Sequence, residues 1–185
     1  MKVTVVEYRP EWRKMFGDEK RILQTALGEI PAQIEHIGST AVAGLAAKPT
    51  IDLMVGLEDF PIADNVVPKI EALGYEYIQK YEDEMPFRRF FKKEQDKIRT
   101  HNIHMVGIGS EFWERHILFR DYLRQNPDVA GQYASLKKKL AGREWENVNE
   151  YEDAKTEFIK EIENKAKEKV RGAAQHNNSL NRTRS

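Results

Sequence analysis

The chain of 185 residues contains no cysteine. Disulfides, thiol catalysis and thiolate metal sites are therefore excluded. It also lacks net charge, since 30 Lys and Arg balance 30 Asp and Glu. A neutral chain exerts no global pull on nucleic acid or on an anionic membrane. No basic stripe is interleaved with stacking aromatics, which argues further against a nucleic-acid partner. No apolar run approaches the roughly 20 residues of a membrane-spanning helix, and no leader-like segment opens the sequence. Together these absences lead us to expect a soluble, cytoplasmic protein with no membrane partner. No internal repeat is visible either.

What remains is the composition of an ordinary folded domain. There are 3 Trp, 7 Tyr and 8 Phe, enough aromatic bulk for one substantial core. Residues 2–7 alternate and predict a short strand. Pro10 suits a helix start, and Trp12, Phe16, Leu23 and Leu27 recur at helical spacing up to Gly28. Strands are predicted over 32–37, 50–56, 75–80, 87–93 and 98–106, with a helix over 62–73 closed by Gly74. After Gly109 the period turns helical. Ser110 is placed to cap residues 111–125, and Asn126-Pro127-Asp128 reads as the start of the next helix, with Val129, Tyr133, Leu136 and Leu140 inward and Gly142 as its stop. A last helix is predicted over 150–170, with Tyr151, Ala154, Phe158, Ile162 and Ala166 inward. Residues 171–185 lack an apolar period and read as a disordered tail behind a single domain over 1–170. The order of elements predicts an α+β fold with a helical C-terminal half.

Residues 36–55 hold the main candidate site. Gly38, Ser39 and Thr40 form a small loop after a strand, where backbone N–H groups and hydroxyls can hold phosphate. The plainer reading is a connecting loop. The loop runs to Lys48-Pro49, and the next strand carries one acid, Asp52. A carboxylate on an apolar strand needs a partner. That partner is a metal or ligand, or else loop N–H groups or Lys48. Position 54 shares a face with Asp52 but is Met, so the strand offers one metal ligand only. In His101-Asn102-Ile103-His104, Asn102 and His104 share a face. If that strand lies beside the Asp52 strand, His104 joins Asp52 as a metal pair or as a base oriented by a carboxylate. Arg88 and Arg89 point to opposite sides of their strand. His116, Arg120 and Arg124 form an i, i+4, i+8 stripe suited to phosphate, unless it is a solvated or ion-paired face. Lys137-Lys138-Lys139 reads as a solvated helix face.

The stretch His36-Ile37-Gly38-Ser39-Thr40-Ala41-Val42, with Gly44-Leu45, Ala47-Lys48-Pro49 and Ile51-Asp52, resembles the GrpB family. So do Tyr8-Arg9-Pro10-Glu11-Trp12, Leu73-Gly74-Tyr75, Thr100-His101-Asn102-Ile103-His104 and Phe119-Arg120-Asp121-Tyr122-Leu123-Arg124. Pro127, Tyr133, Leu136-Lys137, Tyr151 and Lys155 continue the likeness, which spans residues 3–166 in order. The resemblance implies a nucleotidyltransferase-like, polymerase-β-like mixed sheet with flanking helices. In that superfold a Gly-Ser loop binds phosphate and an Asp-x-Asp strand binds divalent metal, with a third acid from a later strand. Gly38 and Ser39 match the loop and Asp52 the first acid. Met54 replaces the second acid, and His104 stands in the region of the third. Ala43 stands where the family usually has Pro. The family carries no settled activity, and it also occurs attached to a dephospho-coenzyme A kinase.

The combined expectation is a pocket for a nucleotide or other phosphorylated small molecule. Gly38, Ser39, Thr40, Lys48, Arg88, His116, Arg120 and Arg124 would contact the ligand. Asp52 and His104 would carry the chemistry or hold one divalent ion (Mg²⁺, Mn²⁺ or Zn²⁺), as in a transferase. The alternative is a non-catalytic binding or folding-assistance module that has lost transferase chemistry.

Overall fold

The computed structural model describes the backbone of residues 2–182 and the side chains of residues 2–147 and 149–172. Helix α1 (Glu11–Leu27) starts after Pro10 and ends at Gly28, whose φ of 62° a side chain would disfavour. Five strands follow in the chain: β1 (Ala32–Ile37), β2 (Ile51–Leu57), β3 (Glu76–Tyr77), β4 (Arg88–Gln95) and β5 (Ile98–Gly107). They form one sheet in the order β1-β2-β5-β4-β3. Only β2 and β5 run parallel among these pairs; the rest are antiparallel. Helix α2 (Ala63–Glu71) lies between β2 and β3, and α3 (Glu111–Gln125), α4 (Pro127–Ala141), α5 (Val148–Asp153) and α6 (Thr156–Arg182) follow β5. The fold is therefore α+β with a mixed sheet, as the pattern predicted.

Alternation along β2 explains the two faces of the sheet. Ile51, Leu53, Val55 and Leu57 point one way, into a core with Trp12, Leu23 and Leu27 of α1 and Val66, Val67 and Ile70 of α2. Met54 points the other way, against Ile37, Val106, Phe112 and Trp113. A further cluster (Val42, Leu45, Leu123, Ala130, Tyr133 and Ile162) joins the loop after β1 to α3, α4 and α6. These helices cover the second face only in part. Asp52, Asn102 and His104 lie on it and are partly exposed.

Several boundaries differ from the sequence expectation. Residues 2–7 form no strand, only a bridge in which Val6 and Ala47 exchange two 2.9 Å hydrogen bonds. The strand expected over 75–80 shrinks to Glu76–Tyr77 and turns into a 3₁₀ segment at Gln79–Tyr81. The last helix breaks between Asp153 and Thr156, which leaves Ala154 exposed and buries Lys155. Tyr151 and Phe158 are seven residues apart, so the apolar period runs through the break unseen. The helix then continues to Arg182, beyond the expected end at 170. Extending an existing helix adds one hydrogen bond per residue fixed, so no new apolar face is needed. Residues 183–185 of the expected tail lie outside the described residues. Ser110 caps α3 as expected, its Oγ accepting from Trp113 N at 3.3 Å, whereas the Asn126 amide turns back and donates to Tyr122 O. No described helix is long and apolar enough to cross a membrane.

Gly56 tests the packing of α3 on the sheet. A Cβ there would press on the Trp113 ring and lie 2.7 Å from Ile108 Cγ1. Gly56→Ala is expected to lower stability by about 1–3 kcal/mol, as overpacking does. Urea unfolding of the two proteins measures this; equal midpoints would contradict it.

Candidate functional site

The register of three strands builds the site. The antiparallel pair β1–β2 sets Ile37 opposite Asp52, so the loop after β1 begins beside the carboxylate. Gly38 has φ 71°, and a Cβ on it would lie 2.6 Å from Asp52 Oδ2. Both its backbone angle and its missing side chain are therefore required. A 3₁₀ turn at Ser39–Ala41 follows. On the other side, the parallel pair β2–β5 sets Asn102 opposite Asp52 and His104 opposite Met54. Asn102 Nδ2 donates to Asp52 Oδ1 at 2.8 Å. Burial raises the Asp52 carboxyl from 3.8 to about 6; the Asn102 bond opposes this, Glu152 adds to it, and Lys48 and Lys155 oppose it.

A cavity of about 670 Å³ opens over this point, between the loop after β1, the sheet and the C-terminal helices. Three lysines line it beside Asp52. Lys48 makes no ion pair and no side-chain hydrogen bond among the described residues, and burial depresses its pKa. Lys137 is 2% exposed, donates to Ala46 O, and sits 4.6 Å above the Tyr133 ring. Burial, with help from Lys155, brings its ammonium down to about 7. Lys155 pairs with Glu152 at 2.6 Å above the Tyr151 ring. The Tyr133 phenol lies near Ser39.

The far end of the cavity is aromatic. The Arg88 guanidinium lies 5.2 Å from the Phe90 ring centre and 5.6 Å from that of Phe112. It donates to His104 Nδ1 at 3.3 Å, and its Nε is buried without a partner. Burial lowers the pKa of Arg88. It also holds His104 well below the ordinary range and brings His116 to about 4, so both imidazoles are neutral at pH 7. His116 Nδ1 donates to Phe112 O at 2.7 Å.

Gly38, Ser39, Lys48, Asp52, Arg88, His104 and His116 thus all line one cavity. The register sets Asn102, and not His104, opposite Asp52: the carboxylate accepts from the Asn102 amide, and His104 Nδ1 meets Arg88. Thr40 lines the cavity too, but its hydroxyl is buried between His36 Nε2 at 3.0 Å and Thr50 O. Arg120 and Arg124 lie outside the lining. Arg120 donates to Glu35 at 2.6 Å, to Asp121 and to His36 O. Arg124 donates twice to Ala41 O, at 3.1 and 2.9 Å. Both tie α3 to β1 and to the Gly38–Ala41 loop. Sequence reasoning missed Asn102 as the partner of Asp52 and gave Lys155 and Glu152 no place in the site; its solvated face over 137–139 is wrong at Lys137, which is buried because it stands in the apolar stripe of α4. Lys137 had a signal: it stands four residues after Tyr133 and three before Leu140, inside the apolar stripe.

A divalent ion that supports phosphoryl or nucleotidyl transfer needs converging oxygen donors. The donor set here does not fit one. Among the described residues no three His, Asp or Glu side chains gather. Met54 is 0% exposed in an apolar cluster, and Glu152 is engaged by Lys155.

The fold has a known counterpart. The Cid1 poly(U) polymerase, in a structure with Mg and 3′-dATP bound, superposes with a TM-score of 0.52 at 16% identity. The alignment covers 74% of this chain and 43% of that one, and at this identity it shows a nucleotidyltransferase-like fold. The family is narrower. A family model described as GrpB protein matches residues 2–165. The crystal structure of conserved protein GrpB from Enterococcus faecalis is 38% identical with a TM-score of 0.80, covering 90% of this chain and 99% of that one. UPF0157 protein YqkA of Bacillus subtilis (strain 168) is 38% identical over 179 residues, which is 97% of this chain and 51% of that protein's length. The chain belongs to the GrpB family.

Asp52 carries a stability signature. Its folded pKa of about 6 exceeds the ordinary 3.8, so the native state holds a proton that the unfolded chain releases between those values. Stability therefore falls as pH rises from 3.8 to 6 and stays reduced above that. Asp52→Asn is expected to stabilise the protein on the order of 2 kcal/mol at about pH 8. Urea unfolding should show that gain shrinking as pH drops towards 3.8. A gain independent of pH would contradict the burial of this charge.

Proposed function

We propose that the cavity binds a nucleotide or another phosphorylated small molecule through its phosphate. One observation carries this reading: Lys48 and Lys137 face the cavity with no carboxylate at ion-pair distance among the described residues. A partly desolvated cation without a counter-charge is unfavourable, and an anion supplies what is missing. Ser39 and Gly38 border the same space, and Arg88 stands at its aromatic end. Asp52, near 6, takes up a proton readily around neutrality and serves as base or hydrogen-bond acceptor for a ligand hydroxyl.

A second reading has its own observation. Met54, fully buried where a second acid would stand, favours a module that binds without transferring. Incubation with nucleoside triphosphates separates the two: pyrophosphate release supports transfer, and binding without release supports the module.

Sulfate is a suitable probe, because its charge is constant over the relevant pH range. Lys137 loses its proton near 7 and Asp52 gains its negative charge near 6, so both changes disfavour an anion as pH rises. Sulfate affinity is expected to fall steadily from about pH 5 to about pH 8.5, and Lys48→Ala to weaken it about tenfold, a loss of one charged contact. Calorimetric titration checks both; an affinity that ignores pH and Lys48 would remove the phosphate reading.

A further inference from the structure

The fold invites a divalent ion beside Asp52, and three features of this chain oppose one. Met54 is packed among Ile37, Val106, Phe112 and Trp113, so the strand supplies no second ligand. His104 has its Nδ1 occupied by Arg88 at 3.3 Å. Around Asp52 stand the Lys48 ammonium, which repels an incoming cation, and the Lys155–Glu152 pair, whose charges offset each other. Glu152, the nearby acid, accepts from Lys155 at 2.6 Å.

On the phosphate reading above, we propose that the cavity takes its ligand as the metal-free anion, with Lys48 and Lys137 supplying the positive charge that a divalent ion would otherwise bring. The inference names a substrate class. Polyphosphates chelate Mg²⁺ strongly and arrive with much of their charge neutralised, whereas a phosphate monoester chelates it weakly and arrives bare. The geometry therefore favours a monoester, such as a nucleoside monophosphate or a sugar phosphate, over a magnesium-bound triphosphate.

Calorimetric titration of the full chain with AMP and with ATP, each in EDTA and in excess Mg²⁺, tests this. AMP affinity is expected to agree within about twofold between the two media, and ATP affinity to fall about tenfold or more when Mg²⁺ is added. Binding that appears only with Mg²⁺ overturns the proposal. Failure of AMP and ATP in both media overturns the phosphate reading itself, so the two failures are distinct. A second measurement needs no phosphate ligand. Mn²⁺ titration of the native chain, followed by water-proton relaxation, is expected to show no saturable site; a saturable site abolished by Asp52→Asn would overturn the proposal.

Discussion

The hydrogen bond from Asn102 to Asp52 crosses the one parallel seam of the described sheet, and the rest of the site depends on that seam. Parallel register pairs 52 with 102 and 54 with 104. It therefore fixes which polar group the carboxylate meets and leaves the imidazole beside an apolar residue. The antiparallel seam on the other side brings in the loop after β1. Because Gly38 has no Cβ, the loop backbone can lie against the carboxylate. Arg120 and Arg124 secure the same loop from α3, through Glu35, His36 O and Ala41 O. Their charges are used for position, which is why they stand apart from the cavity.

The charges inside the cavity work against folding. Burial pushes Asp52 up and Lys137 down, so each is held near the pH at which it changes state. Apolar residues of similar volume would pack there without that penalty. Groups shifted by burial inside a cleft, with specific charged neighbours, are characteristic of sites that meet a ligand. The buried Glu19 on the opposite face of the sheet gives a contrast. Its Oε1 accepts from both Tyr75 and Lys93 at 2.9 Å, so its charge is countered within the protein.

The elements that were legible in the sequence are those with local causes. Pro10 and Gly28 bound α1, Ser110 starts α3, and Pro127 and Gly142 bound α4. Asp52 and Gly38 stood out because a polar residue on an apolar strand and a glycine beside it are visible in one short window. What was hidden depends on contacts far along the chain. Asn102 reaches Asp52 across 50 residues, and nothing local distinguishes it from His104 as the partner. Lys137 was hidden for another reason: its type argues for solvent while its position in the stripe argues for the core, and position won. The break before α6 left the apolar period intact, so the burial of Lys155 could not be read from it.

Met54 links the chemistry to the architecture. Its neighbours Phe112 and Trp113 belong to α3. An acid at position 54 would put a charge into the contact that docks α3 on the sheet, at heavy cost without a partner. The same docking brings His116 and Arg115 to the cavity wall and sets Phe112 against Arg88. The apolar contact around Met54 therefore also builds the aromatic end of the cavity. Two acids on β2 would require α3 to be re-seated, and with it the Arg120 and Arg124 bonds that hold the Gly38–Ala41 loop. The fold is shared with nucleotidyltransferases, but here the sheet face, the helix docked on it and the lysines opposite enclose one cavity with no second acid on β2.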